Sequence, residues 1–241
     1  MPLPTLALRE PSLRRWRRAF AAFSAFTTAL IIWNYGANRN FLFQLQSASL
    51  VVAAALFLRA GTANQLLARA ILLANLLDGV HEQTQTGPAL WPIVAGLGLL
   101  AAADIGLGER RRDTFKPAAP YRGLVALTII VALAAAQHLA IFGWVFQHWQ
   151  GPNAPIRSVA GSVMMGCALW LSAASFGLYR LRVWGLVAMA LGGALLAGLM
   201  FGNVLRLMPF SWTLAYELGL LGLTLVALSV PVLWAMTGRA P

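Results

Sequence analysis

Ten side chains in this 241-residue chain carry a carboxylate or an imidazole: seven Asp or Glu and three His. Several fall inside apolar runs. An ionisable group at the middle of a membrane helix costs about 2.5–3.5 kcal/mol on the insertion scale, so each such group is by default a functional hypothesis. The densest cluster is LLDGVHEQ, residues 76–83. Asp78, His81 and Glu82 stand at i, i+3 and i+4 and share one face of a helix. A carboxylate and an imidazole so placed could hold a divalent metal or pass protons, and His148 could complete the site. The zinc-protease pattern HExxH is absent, because position 85 is Gln85. No His or Cys pair has established metal-ligand spacing, so no metal is assigned.

Arg206 and Glu217 form the second constellation. They flank a turn containing Pro209 and read either as an ion pair closing a helical hairpin or as a pair that binds a ligand or handles a proton. The third is a repeated Gln-His: Gln137-His138 and Gln147-His148. At 1.5 Å per residue the two histidines are about 15 Å apart on one helix. One metal ion cannot bridge them. Bis-histidine haem ligation would need another histidine at the depth of His138, and His81 is expected near the surface. His138 itself reads as an interhelical hydrogen bond or as a contact to a quinone or lipid head group, with Gln137 beside it. Asp104 is expected to snorkel or to pair with Arg110–Arg112. The candidate polar site is thus Asp78, His81, Glu82, His148, Arg206 and Glu217, with Gln137 and His138 as ligand contacts and no catalytic residue assigned.

Other chemistries are excluded. Lys116 is the one lysine and lies in a loop, so the last helices offer no amine for a retinal Schiff base. Gly161-Ser162 lacks the Gly-x-Ser-Gly pattern of intramembrane serine proteases, and there is no Walker sequence. Cys167 is the single cysteine, so no internal disulfide is possible, and its apolar setting reads as a buried small side chain.

The elements that must position these groups are membrane helices. Apolar residues make up 59% of the chain and charged residues 10%, against about 45–50% and 25% in soluble domains. A helix crosses about 30 Å of hydrocarbon with about 20 apolar residues. Eight segments qualify: 17–35, 42–59, 64–80, 88–107, 122–148, 157–179, 182–207 and 211–237. The third is marginal, being short and carrying Arg69, Asn75 and Asp78. The runs lack period-two alternation, which excludes β-barrel strands. The reading is all-α: a polytopic membrane helix bundle of about eight spans. The basic cluster from Arg9 to Arg18 precedes a run long enough to span and is not that of a cleaved signal peptide.

The net charge of +11 would suggest nucleic acid in a soluble protein. Here it orients the chain. With a cytoplasmic N-terminus and eight crossings, fifteen of the eighteen Lys and Arg fall inside and three (Arg39, Arg157 and Arg206) fall outside. This split supports the third span. It places both termini on the cytoplasmic side of a bacterial-type inner membrane and offers a basic face to anionic lipid. Most tryptophans fall near span ends, where amphipathic rings favour the interface, but Trp170 is closer to mid-span. Gly198 and Gly202, at small-xxx-small spacing, are expected to pack helices closely.

Residues 1–16 form a basic cytoplasmic segment. The polar linker 108–121 (GERRRDTFKPAAPY) divides a first half, 17–107, from a second, 122–237. At an offset of 113, SLVVAAALFLRA (49–60) lies beside SVMMGCALWLSA (162–173) with five identities, which suggests two parallel four-helix repeats. The second half, from about 157 to 237, resembles the small four-helix DoxX-like membrane proteins. The matching pattern is a small-residue helix, a short basic turn at Arg180 and Arg182, a Gly-rich helix ending in Arg206, and a last helix with the early Glu217. The first half departs from it, with Asp78, His81 and Glu82 in place of the arginine and glutamate. Some members of that family look like accessory subunits of membrane redox enzymes, so the resemblance implies a fold more than an activity. The expected function is a non-catalytic accessory or scaffold subunit packing against partner helices, a second copy or lipid, with no nucleic acid and no resident cofactor. The alternative is a membrane enzyme or binder of a small hydrophobic ligand, a quinone or lipid, at an outward-facing polar site. A solute transporter has too few deep polar groups to lead.

Overall fold

The computed structural model describes residues 10–36, 41–59, 61–86, 122–148, 150–204 and 212–237. Seven α-helices and no strand occur among them: α1 (Glu10–Gly36), α2 (Phe41–Leu58), α3 (Thr62–Thr86), α4 (Arg122–Gln147), α5 (Ala154–Tyr179), α6 (Val183–Val204) and α7 (Trp212–Thr237). Four of them, α4 to α7, are long and apolar enough to cross a membrane, and α2 contributes a shorter apolar stretch, Phe43–Leu58. The described residues form an all-helical membrane-type bundle. The fourth expected span, 88–107, and the linker 108–121 lie outside the described residues, as do Asp104 and Arg206. α3 runs past the expected end at residue 80, because nothing in His81–Thr86 breaks a helix. α1 begins within the basic cluster rather than after it.

Sequence neighbours pack as hairpins: α1 on α2, α2 on α3, α4 on α5, α5 on α6 and α6 on α7. α3 then packs on α4, α4 on α7, and α3 touches α7. One apolar cluster, including Ala25, Ile32, Leu50, Phe57 and Ile71, joins α1, α2 and α3. A larger one, including Ile129, Leu139, Met164, Leu171, Met189, Leu196, Leu218 and Leu225, fills α4 to α7. α4 is the most buried of the four long apolar helices.

Turn chemistry follows the sequence. Pro155 sits in the first turn of α5, where a missing N–H costs nothing. α5 closes with the paired hydrogen bonds of a Schellman motif, from the Arg182 N–H to Gly177 (2.9 Å) and from the Leu181 N–H to Leu178 (2.8 Å). Leu181 takes the left-handed conformation (φ 54°) that glycine usually fills there. Gln65 of α3 donates to the carbonyls of Phe57 and Arg59, both at 3.3 Å, and so satisfies the open end of α2.

Glycine lets two helix pairs approach closely. A Cβ on Gly161 of α5 would stand 2.6 Å from the Gly143 carbonyl of α4, and one on Gly143 would stand 2.9 Å from that of Gly161. Gly193 of α6 and Gly222 of α7 face each other in the same way, at 2.8 and 2.5 Å. The close approach expected at Gly198 is not there, since a Cβ at that position meets nothing within 4 Å. Its spacing is right, but it lies on the exposed side of α6, while Gly193 and Ala197 face α7.

Isolated hydroxyls in the apolar helices are satisfied within their own backbone. Thr128, Ser175, Thr224 and Ser229 each donate to the carbonyl four residues earlier. Trp170, away from the helix ends, has a local reason: its indole N–H donates to the Ala188 carbonyl of α6 at 2.7 Å.

Candidate functional site: an imidazole between two carboxylates

Three helices meet around His138. α4 carries it on a face lined by buried apolar side chains, among them Ala134, Ala135, Leu139 and Phe142. The ring is fully buried, with the Phe142 ring tilted over it one turn later at 4.7 Å between centroids. Nδ1 lies 2.5 Å from Oδ1 of Asp78 on α3, a short hydrogen bond between side chains sixty residues apart. Nε2 lies 3.4 Å from Oε2 of Glu217 on α7, at ion-pair distance. The Asp78 side chain is 4% exposed and that of Glu217 is 12% exposed, so the carboxylate on α7 is the one nearer the bundle's surface.

The depths agree. His138 is nine residues from the end of α4 at Gln147, Asp78 is eight from the end of α3 at Thr86, and Glu217 is five from the start of α7 at Trp212. At 1.5 Å per residue these are about 14, 12 and 8 Å. The cluster therefore lies well below a helix terminus.

Both imidazole nitrogens face a carboxylate oxygen, so the ring can donate to either side. A ring with two protons donates to Asp78 and turns its second N–H toward Glu217 at ion-pair distance. A ring with one proton donates to one and leaves its other nitrogen facing an oxygen, an arrangement that calls for a proton between them. The site can thus hold a proton that moves between three groups without large side-chain motion. Two further buried polar atoms have no hydrogen-bond partner among the described residues: Oδ2 of Asp78 and Nε2 of Gln137. The first needs a donor or a cation and the second an acceptor.

The expected site residues thus separate. Asp78 and Glu217 converge, and they do so on His138, which the sequence placed apart as a ligand contact. The hydrogen bond to another helix expected of His138 is present, to Asp78. Asp78 is 3% exposed, far from a hydrated helix terminus. His81 and Glu82 lie on α3, but their side chains fall outside the described residues, as does all of Arg206. His148 does not join the cluster. It is exposed at the end of α4, bonds the Trp144 carbonyl through Nδ1 at 2.9 Å, and stacks on the Trp144 ring at 4.3 Å. Ten residues from His138, it is about 15 Å along the helix axis. A His148→Ala variant is expected to leave thermal stability within about 0.5 kcal/mol of the parent, the usual range for an exposed substitution away from such networks. Thermal unfolding in detergent checks this.

Sequence reasoning missed the pairing of Asp78 with His138. Rarity marked both residues, but no spacing rule links positions so far apart. Among the described residues, no group of three His, Cys, Asp or Glu could hold a metal ion. No known family model, curated protein or solved structure matches the chain.

Proposed function

We propose that the protein is a bacterial-type inner-membrane protein of eight spans, DoxX-like in its second half, that binds a small hydrophobic ligand bearing carbonyl or hydroxyl oxygens, of the quinone or lipid class. The observation that carries this reading is the convergence of Asp78, His138 and Glu217 from three helices inside an apolar bundle. Such clusters are costly in hydrocarbon and are kept for ion, proton or ligand chemistry. The Gln137 amide nitrogen, a buried atom lacking an acceptor, lies on the adjoining face of α4 one residue from His138 and fits a ligand carbonyl. Glu217, the more exposed of the two carboxylates, stands on the approach from the bundle's surface. The accessory or scaffold reading rests on a lack of convergent polar groups in the bilayer, and this cluster supplies that convergence. Nothing in the reading requires a catalysed reaction.

Purification in mild detergent followed by mass spectrometry of the extract tests it. A quinone or a defined lipid is expected at near one per chain in the parent and at least tenfold less in a Gln137→Leu variant that elutes as a folded species. Retention no greater than in a washed, unrelated membrane protein would sink the ligand reading. The charge pattern supports a reading in which α3 crosses the membrane and both termini are cytoplasmic. A reporter fused at residue 84 is therefore expected on the outer side, and a cytoplasmic signal there would overturn the eight-span topology. The offset-113 duplication has less support: it sets Phe57, fully buried, against Trp170, 49% exposed, so a repeat would require another register.

A further inference from the structure

The hairpin of α2 and α3 carries a second polar group, on the far side of Asp78. Three hydrogen bonds describe it. Nδ2 of Asn75 donates to Oγ of Ser49 at 2.9 Å and to the Ile71 carbonyl at 2.8 Å, and Oγ of Ser49 donates to the Gln46 carbonyl at 2.8 Å. The bond to a main-chain carbonyl fixes which end of the Asn75 amide is nitrogen. Its oxygen is therefore the atom turned elsewhere.

The same contacts set the register. Asn75 lies opposite Ser49, and Gln65 reaches Arg59 at the other end of the hairpin. Gln65 reaches Phe57 at the same 3.3 Å, so the paired residue numbers sum to 122–124, the nearly constant value that antiparallel helices require. One turn on from the Ser49–Asn75 pair, this antiparallel register puts Gln46 opposite Asp78. Gln46, Asn75 and Asp78 are each 3% exposed. Each holds one buried oxygen with no hydrogen-bond donor among the described residues: Oε1 of Gln46, Oδ1 of Asn75 and Oδ2 of Asp78. With Ser49, the register sets these residues in two adjacent layers between the two helices.

We propose that these layers bind a monovalent alkali cation, held by Gln46, Ser49, Asn75 and Asp78. The donor set is all oxygen, which suits a hard cation and not a transition metal. With the His138 ring neutral, the set carries one carboxylate charge among neutral oxygens, so a single positive charge balances it in a low-dielectric setting, and a divalent ion would leave an excess. A single water has two hydrogens for three orphaned acceptors, whereas one cation meets all of them. Asp78 is then shared, with Oδ1 on His138 and Oδ2 on the cation. The inference goes beyond the ligand reading and does not depend on it, since it stands on the α2–α3 side of Asp78.

Thermal unfolding of the full chain in a neutral detergent tests the proposal, with sodium, potassium or choline chloride at one ionic strength. The midpoint is expected to rise saturably by several degrees in sodium or in potassium relative to choline, and the arm that responds at lower concentration identifies the ion. Gln46→Leu removes one ligand that has no donor to lose and is expected to weaken the response at least tenfold in concentration. Equal midpoints in all three salts would overturn the proposal, as would an undiminished response in Gln46→Leu. Should that variant fail to fold, saturable binding of radioactive sodium or potassium ions to the parent protein decides the matter, and its absence for both ions refutes the site.

Discussion

His138→Ala should lower stability by about 3–5 kcal/mol, the usual cost of removing one member of a buried charged network. The Asp78 carboxylate would lose its hydrogen-bond partner at 2.5 Å at a position only 3% exposed. The expected readout is a loss of monodisperse protein and a sharply lower unfolding midpoint in detergent. The triple replacement Asp78→Leu, His138→Leu and Glu217→Leu should recover most of the loss, because exchanging a whole buried ionic group for apolar side chains is often neutral or stabilising by about 1–4 kcal/mol. That recovery would separate stability from ligand retention, which the triple variant is expected to lack. A His138→Ala protein as stable as the parent would mean that the imidazole does not support the carboxylates.

The second large effect is expected at the glycine crossings. Gly222→Ala places a methyl 2.5 Å from the Gly193 carbonyl oxygen and 2.6 Å from the Ala197 nitrogen, both main-chain atoms that cannot rotate away. α6 and α7 would have to separate, at a cost of about 1–3 kcal/mol for alanine and more for a larger side chain. Gly161→Ala meets the Gly143 carbonyl at 2.6 Å and should behave alike. Gly198→Ala, on the same helix as Gly193 but facing open space, should be neutral or slightly stabilising through helix propensity. Unfolding midpoints of the four proteins check the contrast. Equal losses at Gly198 and Gly222 would show that propensity, not the crossing, sets the cost.

These two sites also show what could be read from the amino-acid order. The apolar runs of α4 to α7 were legible because a membrane helix needs an unbroken hydrophobic length, and length is a local property. α3 was harder to read: Asn75 and Asp78 lower its hydropathy because they serve neighbours, Ser49 on α2 and His138 on α4. The glycines were visible, but the face that meets a partner was not, since Gly198 has the same small-residue spacing as Gly193 and Ala197. Asp78 and Glu217 stood out by rarity alone. Their meeting on His138 depends on α3 and α7 both packing on α4, a tertiary fact that no local pattern encodes. His148 repeats the Gln-His pair of His138, but it lies at the helix end and bonds its own backbone instead.

The sixty residues between Asp78 and His138 have a consequence for biosynthesis. At about 5–20 residues per second, a nascent chain reaches His138 about 3–12 s after Asp78 has been made, and Glu217 about 4–16 s later still. Through that interval Asp78 lacks its imidazole partner and has only its own hairpin around it, where Asn75 is already present. The last helix to arrive brings the second carboxylate and completes the cluster. A chain stalled or cut before α7 would therefore retain an imidazole with one ring nitrogen unanswered inside the bilayer, a mark by which membrane quality control could tell the unfinished protein from the finished one.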